Sequence, residues 1–259
     1  MTHGRLPDRT VAGVDGCKAG WIAAIRPPGA APQVAAFARF EDLLAALSDD
    51  AVIAVDMPIG LPAHVGPGGR GPERLVRAKL GARQSSVFSI PSRAAVFAET
   101  EPFTTVEAWY AAHRRAGIVA RATSEPPRAI SIQAFGIFGK IRELDEVLRS
   151  RPGLRERVIE SHPEAAFWRL NGERAMQKPK KIRGRVNPDG MTERKALLAA
   201  RGIDRGFLDA APPRGAGADD YLDAIAMMLV AERHALGQAA PLPDPPGRDP
   251  HGLPIAIWT

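Results

Sequence analysis

The chain has 259 residues, of which 45% are hydrophobic and 25% charged, and its formal net charge is +6. These proportions are typical of a globular protein in water, and no apolar run approaches the roughly 18 residues that a membrane span requires. A single cysteine excludes an internal disulfide framework and a cysteine-rich zinc site. The first ten residues lack the apolar segment of a signal peptide, so we expect a cytoplasmic protein with no membrane partner.

The first quarter of the chain predicts a strand, a hairpin, a helix and a second long apolar strand. Proline and glycine at 27–29 mark a turn, which favours three antiparallel strands in a meander. The later run is apolar on both faces, as in a central parallel strand. The predicted strands are Val11–Asp15, Trp21–Ile25, Gln33–Phe37 and Ala51–Asp56, and the helix spans Phe40–Leu47.

The remainder predicts mostly helices and loops. Residues 57–156 break the strand–helix alternation without a linker on either side, so we interpret them as a helical insertion in a single domain spanning 1–259. A strand then ends at Glu160, and the last six residues favour an edge strand. Helices are predicted at Glu73–Leu80, Thr104–Ala116, Ser131–Ser150, Thr192–Arg201 and Asp219–Glu232, with loops at Gly81–Arg93 and Lys178–Arg194.

Acidic residues occupy the ends of the apolar strands and the start of the last helix. Asp15, Asp56 and Glu160 each end a strand, and the carboxyl ends of parallel strands share one edge of a sheet. Asp220 and Asp223 are three residues apart on one helix face. Asp220 also lies where the helix dipole favours a carboxylate, whereas Asp223 follows Leu222 near the buried stripe, where an unpaired carboxylate is costly.

Carboxylates that converge repel one another unless some are protonated or a hard divalent cation neutralises them. A carboxylate-only set suits Mg²⁺ or Mn²⁺ better than zinc. Two such ions a few ångströms apart activate a water and stabilise the leaving oxygen in phosphodiester hydrolysis. We therefore expect a site for two Mg²⁺ or Mn²⁺ ions and a two-metal mechanism.

The order of these elements is similar to that of the RNase H-like nuclease superfamily. The final helix, DYLDAIA from Asp220, looks like that of Holliday-junction resolvases. More closely, the chain from about residue 11 to its end resembles domain-of-unknown-function family 429, described as predicted nucleases of RNase H fold. The matching motifs are VAGVDGCKAGW, AVDMPIGLP, SSVFSIPSR, VIESHPEAAFW, DDYLDAIA and GLPIAIW.

The resemblance implies an α/β fold with a mixed five-stranded sheet, flanked by helices and interrupted by a helical insertion. It also implies a metal-dependent nuclease acting on DNA or RNA, and a homodimer if the protein follows the resolvases. Asp15, Asp56, Asp220 and Asp223 match positions of metal ligands. Glu160 has no clear counterpart in the resolvase pattern, and its motif makes it a candidate for the edge of the site.

Basic and hydroxyl residues are candidates for phosphate contacts, which are sensitive to salt. They lie in three stretches: the turn after Asp15, the serine-rich loop at 81–93, and the acid-free stretch at 174–185. The candidates are Lys18, Arg83, Ser85, Ser86, Arg93, Lys178, Lys180 and Lys181.

Two alternatives remain open at this point. Asp15 and Gly16 followed by Lys18 resemble the first phosphate turn of the actin-like superfamily, which would make the protein a phosphotransferase or an ATPase. A non-catalytic nucleic-acid-binding module that keeps the same fold is the second alternative.

Overall fold

The computed structural model describes residues 6–259 and contains a mixed five-stranded sheet with strand order β3-β2-β1-β4-β5. Strand β2 is antiparallel to its neighbours β1 and β3, whereas β4 and β5 run parallel to β1. This arrangement confirms the predicted fold class and is consistent with an RNase H-like layout. The strands are β1 (Val11–Cys17), β2 (Gly20–Arg26), β3 (Gln33–Phe37), β4 (Val52–Val55) and β5 (Val158–Glu160).

Ten helices are found within residues 6–259, and five of them lie between β4 and β5. Their bounds are α1 (Phe40–Ala45), α2 (Pro72–Leu80), α3 (Arg93–Val96), α4 (Val106–Ala122), α5 (Ile132–Gly136), α6 (Phe138–Ser150), α7 (Pro163–Leu170), α8 (Pro188–Ala200), α9 (Arg205–Leu208) and α10 (Ala218–Ala235). In the part of the chain described, no helix is long and apolar enough to cross a membrane.

The pleat of the sheet divides its apolar residues between two cores. Side chains alternate between the two faces of a strand, so Val14 and Val55 join a core with α1 and α3–α6. Ala54 and Ile159 join a second core with α7, α8, α9 and α10. The predicted strands are apolar on both faces because helices cover the sheet on both sides.

Helix α10 packs directly against β1, and Gly13 makes this close approach possible. A Cβ atom at Gly13 would lie 1.9 Å from the Met228 backbone nitrogen and 2.1 Å from the Ala224 carbonyl oxygen. Gly13 precedes Asp15 by two residues, so both face α10. The glycine therefore sets the distance between the acid on β1 and the acids on the helix.

Local predictions were wrong in several places where tertiary contacts override the sequence pattern. The single helix predicted over 131–150 is divided at Ile137 into α5 and α6. The Ile137 amide donates to the Ala134 carbonyl oxygen in a turn. The basic loop contains a hairpin of β6 (Lys181–Ile182) and β7 (Arg185–Val186). The predicted C-terminal strand is confirmed as β9 (Pro254–Trp258). Its partner β8 (Pro241–Arg248) was not predicted, because its prolines are unusual in a strand.

Candidate active site

Asp15 and Asp56 lie side by side near the carboxyl ends of the neighbouring parallel strands β1 and β4. Val14 pairs with Val55 in the parallel register, and the Asp56 amide donates to the Val14 carbonyl oxygen at 2.8 Å. The pleat directs both acids to the face covered by α10. Asp15 keeps only 8% of its surface exposed.

Asp223 brings a third carboxylate to the same place from α10. It is 1% exposed, and the close approach of α10 to β1 carries it towards Asp15. Asp220, one turn earlier, accepts from the Gly217 amide at 2.8 Å and so closes the helix N-terminus. Asp219 pairs with Lys181 at 2.6 Å. Of the three acids on the helix, Asp223 is therefore the one that joins the strand acids most directly.

Lys180 places an ammonium group among these acids. Its Nζ pairs with Asp223 Oδ2, and its side chain is 26% exposed. The other oxygen of that carboxylate, Asp223 Oδ1, is buried and lacks a hydrogen-bond partner among residues 6–259. The carboxylates are thus incompletely neutralised.

The pKa values of the three acids are raised because their charged forms are buried and close to one another. Burial raises the pKa of Asp15 well above its ordinary value, and the charges of Asp56 and Asp223 add to the effect. Burial also raises the pKa of Asp56 to about 7 and that of Asp223 to about 6, although Lys180 opposes both shifts. For Lys180, burial works against the charged form, but Asp223 and Asp15 outweigh it and raise its pKa.

Glu160 occupies a different environment from the other strand acids. The pleat places it on the face of Val158 and Val55, away from α10. There it accepts from Arg70 at 2.6 and 3.0 Å and from the Ile59 amide at 2.7 Å. Burial raises the pKa of Glu160 to about 7, against the opposing effect of Arg70. The geometry assigns Glu160 to holding the chain after β4, and we leave it out of the proposed ligand set.

The residues predicted to contact phosphate are dispersed. Arg93 donates to Asp145 at 2.7 Å and to Asp249 at 2.8 Å, so its guanidinium is engaged elsewhere and that expectation is not supported. Lys180 and Lys181 pair with acids of α10. Lys18, Ser85 and Lys178 are exposed, and Arg83 is partly buried in a 3₁₀ turn at 81–86. Of the whole set, Ser86 lines the cavity next to Asp15 and Asp56.

That cavity has a volume of about 160 Å³ and lies between the acid-bearing edge of the sheet and the insertion. Its lining includes Asp15, Asp56 and Glu160 from the ends of the strands, together with Ser86, Phe88 and Lys140. Its volume is below the roughly 300–1,000 Å³ of pockets that enclose drug-sized ligands. The cavity therefore fits a small group, such as a phosphoryl group with part of its substituent.

Lys140 is a cavity residue that the sequence analysis missed. It lies on α6, where its charge looked like the solvated face of an amphipathic helix. In the structure its ammonium donates to the Gly20 carbonyl oxygen at 2.5 Å and stands 4.8 Å from the Trp21 ring centre. More than one hundred residues separate it from Asp15 in sequence, so no local signal reveals this contact.

The chemistry of these donors suits a hard cation, but among the described residues their arrangement does not form a metal site. Carboxylate oxygens are the ligands that Mg²⁺ and Mn²⁺ prefer, and the unpartnered Asp223 Oδ1 offers such an oxygen. However, no group of three or more His, Cys, Asp or Glu side chains within 6–259 is arranged to hold a metal. Asp15, Asp56 and Asp223 are the residues that would hold an ion.

Comparison with known families identifies the chain at the level of sequence. Residues 13–248 match the family model described as "Protein of unknown function (DUF429)". The match covers most of the chain, which therefore belongs to this family. No curated protein and no solved structure matches it.

Proposed function

We propose that this member of the DUF429 family is a metal-dependent phosphodiester hydrolase that acts on nucleic acid. The observation that carries the proposal is the convergence of Asp15, Asp56 and Asp223 from two strands and a helix around the ammonium of Lys180. Elevated pKa values for buried acids beside a cavity are typical of functional sites. A purely structural cluster would be expected to satisfy its buried oxygens more completely.

Each residue has a task that follows from its position. A Mg²⁺ or Mn²⁺ ion, when bound, supplies activation of a water and stabilisation of negative charge on the leaving oxygen. Asp15, Asp56 and Asp223 would hold that ion, and their burial strengthens every charge interaction there. Lys140 and Ser86 line the same cavity as Asp15 and Asp56, where they can orient a phosphate.

The shape of the site favours a flexible substrate over the interior of a duplex. Asp15 and Asp223 are 8% and 1% exposed, and the cavity in front of Asp15 holds about 160 Å³. A duplex phosphate is fixed in its backbone and reaches such a recess only if the strand is first separated, which costs a few kcal/mol per base. We therefore place single-stranded DNA or RNA first among the substrates.

The test measures Mn²⁺-dependent hydrolysis of bis(p-nitrophenyl) phosphate and of labelled single-stranded and duplex DNA and RNA. Asp15→Asn and Asp223→Asn are each expected to lose about 100-fold or more in rate, since each removes charge directed at the reacting centre. Asp219→Asn is the matched control, because this buried acid on the same helix pairs with Lys181 instead. We expect its rate to stay close to that of the native protein.

Other outcomes separate the alternatives. Full activity in both Asp15→Asn and Asp223→Asn would overturn the assignment of the site. Salt-sensitive binding of nucleic acid without hydrolysis would favour a non-catalytic module. Turnover of ATP without nuclease activity would favour the actin-like phosphotransferase, which shares this sheet order.

A further inference from the structure

A groove adjoins the cavity of the acids, and the two share Phe88. The groove has a volume of about 630 Å³, against about 160 Å³ for the cavity. This volume is within the range of roughly 300–1,000 Å³ for pockets that enclose small organic ligands. Phe88, Ser89 and residues of the segment 126–131 line it, and we call it the Phe88 groove. A ligand that is too large for the cavity can therefore extend past Phe88 into this groove.

Phe88 is held in place through its two neighbours in the chain. The Arg77 guanidinium donates to the Val87 carbonyl oxygen at 2.9 Å and to Ser89 Oγ at 2.7 Å. The Phe88 side chain packs against the core of α1 and α3–α6 and is half-buried. Because the ring is fixed before a ligand arrives, little conformational entropy is lost when a flat group stacks on it.

The charge of the groove is positive. Its lining contains the exposed Arg128 and, among the described residues, no acidic side chain. Burial lowers the pKa of Arg77, Glu73 opposes this change, and the charge of Arg128 adds to it, so the two guanidinium groups lie close enough to repel each other. An arginine in such a groove is suited to phosphate, whose oxygens accept from its planar set of donors. The groove therefore favours an anionic ligand.

A flat apolar ring next to a cationic side chain fits one nucleotide of a flexible strand. Every base has a face that stacks on an aromatic ring, and the backbone phosphate pairs with a cation. In the proposed hydrolase the reacting phosphate lies at the acids, where the cavity of about 160 Å³ is too small to enclose the adjacent nucleotide as well. The groove beyond Phe88 is an adjoining space that is large enough for that nucleotide.

We propose that the Phe88 groove binds the nucleotide next to the reacting phosphate, with its base stacked on Phe88 and its own phosphate paired with Arg128. The choice of a single-stranded nucleic acid as the occupant rests on the proposed hydrolase function. The binding itself requires neither a metal ion nor hydrolysis, so it is measured apart from that function.

The first experiment measures the binding of labelled oligothymidylate and oligouridylate by fluorescence anisotropy in the presence of EDTA. Phe88→Leu is expected to weaken binding about fivefold or more, because leucine keeps the apolar contact with the core but has no face on which a base stacks. Phe88→Tyr keeps that face and should retain the native affinity. Phe103→Leu is the matched control, since Phe103 is also half-buried against the same core but does not line the groove. We expect its affinity to equal that of the native protein.

The second measurement tests Arg128 by the salt dependence of the same binding. Arg128→Gln is expected to reduce the slope of the logarithm of the binding constant against the logarithm of the salt concentration by about 0.7, the value for one phosphate contact with a single strand. Arg114→Gln removes the same charge from an exposed position on α4 and should leave the slope unchanged. Far-ultraviolet circular dichroism and the melting temperature check that each variant folds. The exposed Arg128 keeps the proposal testable if Phe88→Leu does not fold.

The proposal is overturned if the native protein binds neither oligonucleotide, if Phe88→Leu and Phe103→Leu bind alike, or if Arg128→Gln leaves the slope unchanged. Failure of the hydrolase function has a different signature, since oligonucleotides would then bind through Phe88 and Arg128 without Mn²⁺-dependent hydrolysis in any variant. Conversely, hydrolysis of bis(p-nitrophenyl) phosphate by a protein whose oligonucleotide binding does not depend on Phe88 would contradict the groove alone. The two proposals therefore fail separately.

Discussion

Two buried clusters of acids, one around Asp223 and one around Asp249, differ in how their carboxylates are satisfied. Asp223 is 1% exposed and Asp249 is 6% exposed, so both have lost nearly all contact with water. Burial raises the pKa of Asp223 to about 6. Burial acts in the same direction on Asp249, yet the pKa of Asp249 is lowered.

The number of donors explains this difference. Asp249 accepts from the amides of Leu61, His251 and Leu253 at 2.8–3.1 Å and from Arg93 at 2.8 Å. Asp223 accepts from Lys180, and in the region the structure describes its second oxygen has no donor. Burial alone therefore does not identify a functional acid, and a missing donor narrows the choice only to Glu73, Glu164 and Asp223 among the described acids.

The largest expected loss of stability comes from removing Arg93, the cation of the Asp249 cluster. Arg93→Met leaves the buried Asp249 without its counter-ion and Asp145 with only Arg149 at 3.7 Å, and we expect the free energy of unfolding to fall by about 3 kcal/mol. Urea unfolding at pH 7.5 measures the loss. Arg115→Met is the control, because Arg115 pairs with Glu99 while 58% exposed, and water screens such a pair so that its loss changes stability little. Equal losses in the two variants would contradict the structural role of the Arg93 cluster.

A second prediction concerns the packing of α10, which carries Asp223, against β1, which carries Asp15. Gly13→Ala places a Cβ atom 1.9 Å from the Met228 nitrogen, so α10 must move away from β1. We expect a loss of about 3 kcal/mol in the free energy of unfolding, at the upper end for overpacking because backbone atoms block the methyl group. Gly117→Ala on α4 meets no atom within 4 Å and is expected to be neutral or slightly stabilising. A neutral Gly13→Ala would show that α10 does not depend on this contact.

The two clusters are expected to change stability with pH in opposite directions, because the pKa of Asp56 is raised and that of Asp249 is lowered. The pKa of Asp56 is raised from 3.8 to about 7 in the folded chain, so the folded state binds more protons than the unfolded state between these values. Stability is therefore lost as the pH rises from about 4 to about 7. Asp56→Asn removes this loss, and we expect the variant to exceed the native protein by about 2 kcal/mol at pH 8 and to match it near pH 4.

Asp249 should behave in the opposite way, since its pKa is lowered in the folded chain. Its contribution is present above the ordinary pKa of an aspartate and is lost as the pH falls below it. Asp249→Asn is therefore expected to destabilise the protein at neutral pH, with the difference from the native protein shrinking in acid. Urea titrations at several pH values measure both variants. A difference that does not change with pH for Asp56→Asn would contradict the raised pKa that burial gives Asp56.

The smallest effect is expected at Lys181. It forms a pair with Asp219 at 2.6 Å, but 45% of its side chain is exposed. The ammonium lies largely in water, which screens the pair, and the helix dipole favours the buried Asp219 in the first turn of α10 even without it. Lys181→Met should therefore change the free energy of unfolding by less than about 0.5 kcal/mol, as measured by urea unfolding at low and high salt. A loss above about 1 kcal/mol would show that the hairpin contributes to the stability of α10.

Local sequence patterns were enough to predict the strands of the sheet and the three acids Asp15, Asp56 and Asp223. Apolar runs ending at Asp15 and Asp56, and a helix with Asp223 beside its buried stripe, follow from local periodicity and from the cost of burying a charge. The resemblance to DUF429, now shown by the family model, added the order of the strands. These features are local or lie within short motifs, so a single chain displays them.

The partners of the buried charged groups became visible only in the folded chain. Glu160 ends a strand like Asp15 and Asp56, yet the pleat directs it to the opposite face, where Arg70 holds it. Lys180 reaches Asp223 across 43 positions of sequence, and Arg93 joins Asp249 across 156. Ion pairs between distant segments depend on how the elements pack, and residue type alone does not reveal whether a buried carboxylate has enough donors.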